Sequence, residues 1–207
     1  SHTQKCIKQH RNWVFNLEIQ HLAILGSTGS IGTQALDIVR QHPSRFQIIA
    51  LSSRSRWELL LEQIREFKPK YALLCDEEAY LKLKSAANGL NTEILLGEDK
   101  LKELAVLHEV DTVLNSLVGF VGFEPTLKAV ESGKKVALAN KESLVVGGAL
   151  ICDALHYPEQ LIPVDSEHSA MLQCLVGEDY SHIEKIIITA SGGPFRDYSP
   201  DQMKSIT

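Results

Sequence analysis

From His21 onward, short apolar runs alternate with longer stretches in which apolar residues recur every three or four positions. The runs "HLAILG", "FQIIALSS", "YALLCD", "TEILLG", "TVLNSLV", "KVALAN", "QLIPVDS" and "IEKIIITAS" read as strands. They are short, rich in Val, Ile and Leu, and scarcely alternate, which marks strands covered on both faces. Between them "IGTQALDIVRQH", "RWELLLEQIREF", "EEAYLKLKSAAN", "DKLKELAVLHEV", "EPTLKAVESG", "ESLVVGGALICDAL" and "HSAMLQCLVG" read as helices. In "WELLLEQIREF", Leu60, Leu61, Ile64 and Phe67 hold one helical face, Arg65, Glu66 and Lys68 lie on the other, and Pro69 stops the helix. Repeated strand–helix–strand units of this length predict a mostly parallel sheet with right-handed crossovers.

The expected fold class is α/β: a Rossmann-like, doubly wound parallel sheet followed by the start of a second α/β domain. Residues 1–20 form a polar, mildly basic arm or an expression remnant, without the apolar core of a secretory signal. Residues 21–140 carry a nucleotide-binding sheet. Residues 141–207, where helices lengthen and polar residues gather at strand tips, read as the start of a catalytic domain that stops inside its fold.

Composition narrows this picture. Of 207 residues, 44% are hydrophobic and 23% charged, as in ordinary globular proteins. A net charge of -5 argues against a broad nucleic-acid or membrane surface, and no apolar run approaches the roughly 18 residues of a membrane span. Cys6, Cys75, Cys152 and Cys174 are scattered without a C-x-x-C pair, which suits a reducing compartment and argues against a zinc site.

Candidate chemistry sits at the strand tips. "LAILGSTGSIGTQALDIV" places Gly26, Gly29 and Gly32 between a strand and a helix, the setting in which backbone N–H groups and the helix dipole hold a pyrophosphate. The spacing is G-x-x-G-x-x-G, and Gly26, Ser27, Thr28, Gly29, Ser30 and Ile31 are the residues that would line it; a plain turn is the alternative. At the second strand tip no acid precedes Glu58, while Arg54, Ser55 and Arg56 follow Ser52 and Ser53. An arginine fork with hydroxyl donors suits the 2'-phosphate of NADPH, against a solvated loop. "NSLVGFVGFEPT" would pass near a nicotinamide or simply enter a helix. "ALANKESLVVGG" presents Asn140, Lys141 and Glu142, as ligands or as surface and first-turn residues. "IIITASGGPF" offers Ser191 in a phosphate loop or a flexible turn. In "LIPVDSEHSAM", Asp165 and Glu167 serve either as helix caps or as oxygen ligands for Mg2+ or Mn2+.

The blocks "GSTGSIG", "LVGFVGFEPTL", "ALANKESLV", "PVDSEHSA" and "TASGGPF", in this order from about His21 to Phe195, resemble the 1-deoxy-D-xylulose 5-phosphate reductoisomerase family. The resemblance implies an NADPH- and divalent-metal-dependent enzyme of non-mevalonate isoprenoid synthesis. Its substrate is a small sugar phosphate, rearranged and reduced to 2-C-methyl-D-erythritol 4-phosphate. By motif, Asp165 and Glu167 would be metal ligands and Ser166, with Glu167, a substrate contact. Lys141 would be catalytic beside substrate and metal, Asn140 and Glu142 would approach the cofactor, and Ser191 would bind the substrate phosphate. His168 would be local support. The family's further metal glutamate, its histidine, its tryptophan-bearing lid and its Asn–Lys phosphate pair come from downstream blocks absent from this sequence. This polypeptide is therefore expected to bind NADPH but to turn over poorly or not at all. Arg54 departs from the family, which often carries Gly near that position. The resemblance also implies a homodimer at full length, and a bacterial cytoplasm or plastid-type organelle.

Two other readings compete. Aspartate-semialdehyde dehydrogenase has a similar glycine loop but needs a nucleophilic Cys at a helix start. Here Cys152 and Cys174 fall in helical runs and Cys75 ends a strand. A non-enzymatic NADP(H)-sensing module is the second alternative.

Overall fold

The computed structural model describes residues 19–187, 195, 197–204 and 206. The chain divides into two compact units, Ser1–Ser169 and Ala170–Thr207. Seven strands of the first unit form one sheet: β1 (Gln20–Leu25), β2 (Phe46–Ser53), β3 (Tyr71–Leu74), β4 (Glu93–Leu96), β5 (Thr112–Asn115), β6 (Lys135–Leu138) and β7 (Leu161–Pro163). Their spatial order is β4-β3-β2-β1-β5-β6-β7, and every adjacent pair is parallel. The order reverses between β1 and β5, the switch point where open α/β sheets bind ligands.

The helices are α1 (Ser30–Gln41), α2 (Trp57–Phe67), α3 (Glu77–Ala86), α4 (Leu101–Ala105), α5 (Phe123–Glu131), α6 (Lys141–Asp153), α7 (Ser166–Leu175) and the single turn α8 (Pro200–Met203). Two apolar clusters account for the unbroken hydrophobic runs of the strands. Ile24, Ile48, Ala72 and Leu74 pack with Leu36, Val39, Leu60, Leu61, Ile64 and Leu83 of α1, α2 and α3. Ala23, Leu25, Ile49, Leu73, Val113 and Val136 pack with Leu101, Leu104, Ala129, Val130 and Ile151 of α4, α5 and α6. Neighbouring residues of one strand thus belong to opposite clusters, as burial on both faces requires. Among the described residues no helix is long and apolar enough to cross a membrane.

Four expectations meet a different structure. The N-terminal boundary moves slightly, since Gln20 already pairs with Phe46 in β1; residues 1–18 lie outside the described residues. The sheet does not end near Asn140, because β7 pairs with β6 through Val136↔Leu161, Ala137↔Ile162 and Leu138↔Pro163. The helix expected over "DKLKELAVLHEV" is only a 3-10 turn, Glu98–Lys100, followed by the five residues of α4. Finally, the run 183–191 forms no strand over its described part, 183–187, where Ile186 and Ile187 are 60% and 73% exposed. A strand needs a hydrogen-bonded neighbour as well as apolar side chains, and no described strand pairs with this run. Within the second unit, α8 begins at the expected place. Ser199 accepts from the Gln202 N–H, Gln202 returns a bond to the Ser199 N–H, and Pro200 fills the first helical position.

Candidate functional site

The parallel sheet brings the tips of its strands to one edge in a fixed sequence, because the backbone ladder continues one rung past each strand end. Ser27 N–H donates to Ser52 O (2.8 Å), Ser116 N–H to Leu25 O (3.0 Å), Ala139 N–H to Asn115 O (2.9 Å) and Val164 N–H to Leu138 O (2.9 Å). The carboxyl edge therefore presents Arg54–Arg56 after β2, the glycine loop after β1, Ser116–Gly122 after β5, Asn140–Glu142 after β6 and Asp165–Glu167 after β7.

The glycine loop leaves β1 with Gly26 at φ +86°, a conformation open to glycine, and a Cβ there would also crowd Ser116. Gly29 is the N-cap of α1. No side chain caps this helix and its first turn holds no acid, whereas α3 begins with Asp76 accepting from the Ala79 N–H and with Glu77 and Glu78 behind it. The first intrahelical bond at the start of α1 is Thr33 N–H to Gly29 O. The N–H groups of Ser30, Ile31 and Gly32 are thus left for an anion, and Gly29 and Ser30 are exposed.

Ser27 and Thr28 are different: both are buried and face inward. Ser27 Oγ donates toward Gln63 Oε1 (2.7 Å) and Ser52 O (3.2 Å), and Gln63 Nε2 donates to Ser27 O (3.0 Å). Thr28 Oγ1 lies 2.7 Å from Ser53 Oγ, and Thr28 O accepts from Arg56 Nη1 at 2.7 Å. Sequence reasoning placed Ser27 and Thr28 on a cofactor, yet their side chains brace the loop. It also offered the Ser52 and Ser53 hydroxyls to a 2'-phosphate, but both serines are buried. Ser52 Oγ instead accepts from the Gly26 N–H (3.0 Å), and Ser53 Oγ accepts from the Arg56 N–H (3.3 Å). Arg54, Ser55 and Arg56 are exposed, and the described residues give neither guanidinium an ion pair.

Asn140 is fully engaged by the protein. Its Nδ2 donates to Leu117 O (2.9 Å), Gly119 O (2.9 Å) and Glu142 Oε2 (3.1 Å), while its Oδ1 caps α6 by accepting from the Ser143 N–H and hydroxyl. Asn115, also buried, donates to Gly122 O and Thr126 Oγ1, each at 2.7 Å. Two asparagines thus shape the Leu117–Gly122 turn, and Asn140 acts on that turn rather than reaching out of it. Glu142 is half-buried beside Asn140, and Lys141 extends from the first turn of α6 with its ammonium 3.9 Å from Asp165 Oδ2.

Asp165 sits where the N-cap of α7 belongs, since its carbonyl accepts from the Ser169 N–H (2.8 Å). Its carboxylate turns to the His168 ring, with Nδ1 2.9 Å from Oδ1. That bond, aided by Glu167 and the His168 backbone N–H, holds Asp165 below the usual carboxylate range. Ser166 donates to Glu167 Oε2 at 2.8 Å. Capping geometry and an ion pair coexist here, because Asp165 Oδ2 also faces the Lys141 ammonium at 3.9 Å. The donors suit Mg2+ or Mn2+, which take one or two carboxylates when substrate oxygens and waters complete the octahedron. Two carboxylates are not a closed cage, and no group of three metal-ligating side chains occurs among the described residues. Ser191 lies outside the described residues. Among the described residues no cysteine is a helix-start nucleophile: Cys152 is inside α6, Cys174 inside α7, and Cys75 follows β3.

Gln63, Asn115 and Ser116 were not singled out from the sequence. Gln63 left one signal, a polar residue within the apolar stripe of Leu60, Ile64 and Phe67.

The family model of 1-deoxy-D-xylulose 5-phosphate reductoisomerase matches residues 22–148, and the model of that enzyme's C-terminal domain matches residues 161–207. Relatives of that name from Phocaeicola vulgatus and Clostridium kluyveri are 47% identical over 189 residues and 49% over 192, each alignment covering 91% of this chain. Among solved structures, the reductoisomerase of Zymomonas mobilis in complex with NADPH superposes with a TM-score of 0.79 at 39% identity, over 92% of this chain and 50% of that one. A reductoisomerase in complex with NADPH, fosmidomycin and magnesium gives 0.76 at 40%, over 91% of this chain and 49% of that one. The chain spans about half the length of the curated relatives it matches. On these matches the chain belongs to the 1-deoxy-D-xylulose 5-phosphate reductoisomerase family.

Proposed function

We propose that this chain is the NADPH-binding part, with the first metal and substrate groups, of an enzyme that converts 1-deoxy-D-xylulose 5-phosphate to 2-C-methyl-D-erythritol 4-phosphate. The observation that carries the reading is the order of polar tips along the carboxyl edge of the sheet. From β2 to β7 there are four strand spacings, roughly 19 Å at about 4.8 Å each, a span suited to an extended dinucleotide with a reacting group at its far end. Arg54 and Arg56 meet the 2'-phosphate, and Arg56 is already held against Thr28 O. The free N–H groups of Ser30 and Ile31 take the pyrophosphate. The Leu117–Gly122 turn, shaped by Asn115 and Asn140, lies under the nicotinamide, with Glu142 beside it.

Asp165 and Glu167 hold the divalent cation together with substrate oxygens. When bound, NADPH supplies the hydride that reduces the rearranged aldehyde, and Mg2+ or Mn2+ draws charge from the substrate oxygens. The Lys141 ammonium steadies developing oxyanion charge, and its attraction to Asp165 keeps it on that side of the edge. Ser166 contacts the substrate, and Ser191 is assigned to its phosphate by the family motif. The division near Asn140 is then one of function: residues 21–140 serve the cofactor and residues 141–207 begin the metal and substrate side.

Calorimetric titration of the 207-residue protein with NADPH and then NADH tests the cofactor half. Clear preference for NADPH is expected, and binding of neither dinucleotide overturns the reading. Replacing both Arg54 and Arg56 with Ala should weaken NADPH and leave NADH nearly unchanged. Equal losses would remove the 2'-phosphate assignment. With two carboxylates and no downstream ligands, NADPH oxidation driven by the sugar phosphate and Mg2+ should be negligible. Family-like turnover by this chain alone would refute its catalytic incompleteness.

A further inference from the structure

We propose that Gln63 is a positioning residue for the dinucleotide: a buried side chain of α2 that sets the glycine loop in its pyrophosphate-binding shape. The inference rests on the cofactor reading above. Gln63 is 5% exposed, and both ends of its amide are used on a single residue of the loop. Its Oε1 accepts from Ser27 Oγ (2.7 Å) and its Nε2 donates to Ser27 O (3.0 Å). The pair fixes Ser27 from above and below in the chain direction, since one bond reaches the side chain and the other the peptide that leads into Thr28. Ser52 completes the clamp, with its carbonyl taking the Ser27 N–H and its hydroxyl taking the Gly26 N–H.

Why a helix should carry a glutamine in its apolar stripe follows from this geometry. Leu60 and Ile64 beside it are buried in the core, so an amide there costs desolvation unless every polar atom is satisfied. Both polar atoms of Gln63 are hydrogen-bonded, and among the described residues their partners are the two Ser27 atoms of the loop. Gly32 explains what the clamp achieves. A Cβ at Gly32 would stand 2.6 Å from Ser27 Cα, so α1 rests directly on the Ser27 peptide. Fixing that peptide fixes the start of α1, and with it the direction of the Ser30 and Ile31 N–H groups. Stability of the core alone would be served as well by leucine; the amide is needed only to hold Ser27.

The test compares Gln63→Leu, Ser27→Ala and the unaltered chain against two probes, NADPH and adenosine 2'-monophosphate, which lacks the pyrophosphate. Both titrations are run by chemical-shift perturbation well below each protein's melting temperature. Gln63→Leu should weaken NADPH by about tenfold, the scale of one to two lost buried hydrogen bonds, and change adenosine 2'-monophosphate by less than about twofold, near the noise of a ΔG measurement. Ser27→Ala keeps the Nε2 bond to Ser27 O and should fall between the two. Should Gln63→Leu not fold, the Ser27→Ala ratio of the two affinities decides alone. Unchanged NADPH affinity, or equal losses for both probes, overturns the positioning role. If the unaltered chain binds neither probe, the cofactor reading fails first and takes this one with it.

Discussion

Adding one methyl group to Gly32 and to Gly148 should move stability in opposite directions, although both glycines lie in helices. Glycine to alanine in a helix gains up to about 1 kcal/mol from propensity. At Gly148 little opposes that gain, because the nearest atom to a new Cβ is Leu144 Cβ at 4.0 Å, an ordinary contact. At Gly32 the new carbon would press on Gly26 O and lie 2.6 and 2.8 Å from Ser27 Cα and carbonyl carbon. These are backbone atoms held by Gln63 and Ser52, so they cannot rotate away. Forcing a methylene into a packed site costs about 1–3 kcal/mol, and rigid surroundings favour the upper end. The net at Gly32 is a loss of about 2 kcal/mol once the propensity gain is subtracted. For a chain of this size that lowers the melting temperature by roughly 4–8 °C, against a rise of about 1–4 °C for Gly148→Ala. Urea and thermal unfolding of the two variants read this directly, and NADPH affinity should fall only for Gly32→Ala. A stabilised Gly32→Ala that still binds NADPH would refute the claim that α1 rests on the glycine turn.

Asn140→Ala removes an N-cap and strands the Leu117 and Gly119 carbonyls, so a loss of about 1–3 kcal/mol is expected in urea unfolding; a change under about 0.5 kcal/mol, the range of ordinary surface substitutions, would mean that the turn holds itself. The Cys75 thiol is pushed up by burial and by Glu98, against the opposing pull of Arg54, so iodoacetamide at pH 8 should modify exposed Cys152 and Cys174 well before it. Mass-mapped labelling in the reverse order would contradict the packing around β3. Glu66 lies below its ordinary value of 4.5 because Arg40 donates to both of its oxygens. A carboxyl lowered by folding stabilises above its unfolded value and loses that contribution as acid protonates it. Glu66→Gln should therefore be less stable than the unaltered chain at pH 7, with the gap closing as pH falls below about 4.5; a gap independent of pH would exclude the ion pair as its source. Mn2+ added to this chain should broaden its NMR signals around α7 only weakly, and Asp165→Asn should abolish that broadening; persistence of the broadening would remove Asp165 from the metal site.

How much of this was legible in the sequence depends on the range of the forces involved. The α/β architecture was legible because hydrophobic periodicity is local: the runs around Ile24, Ile49 and Leu73 could only be strands buried on both faces, and the stripe of Leu60, Leu61 and Ile64 could only be one helix face. The glycine loop was legible for the same reason, since Gly26 and Gly29 stand between a strand and a helix whatever else the chain does. The edge residues Arg54, Asn140, Lys141 and Asp165 were legible as candidates, because polar residues at parallel strand tips share an edge. Tertiary structure decided which of their atoms remain available. Ser27, Thr28, Ser52 and Ser53 look like ligands along the chain, yet hydrogen bonds spanning 25 to 36 residues turn their side chains inward. Asn140 is likewise taken up by carbonyls more than 20 residues away. Gln63 reached the site by the same kind of bond, with no neighbour in sequence to announce it. The described part of the run 183–191, residues 183–187, departs in the opposite direction: apolar content is a local property, whereas a strand forms only where a distant segment supplies its partner. Sequence determines which groups the chain can offer, and long-range hydrogen bonding, invisible to periodicity, decides which of their atoms remain available and which are taken up in bracing the loops.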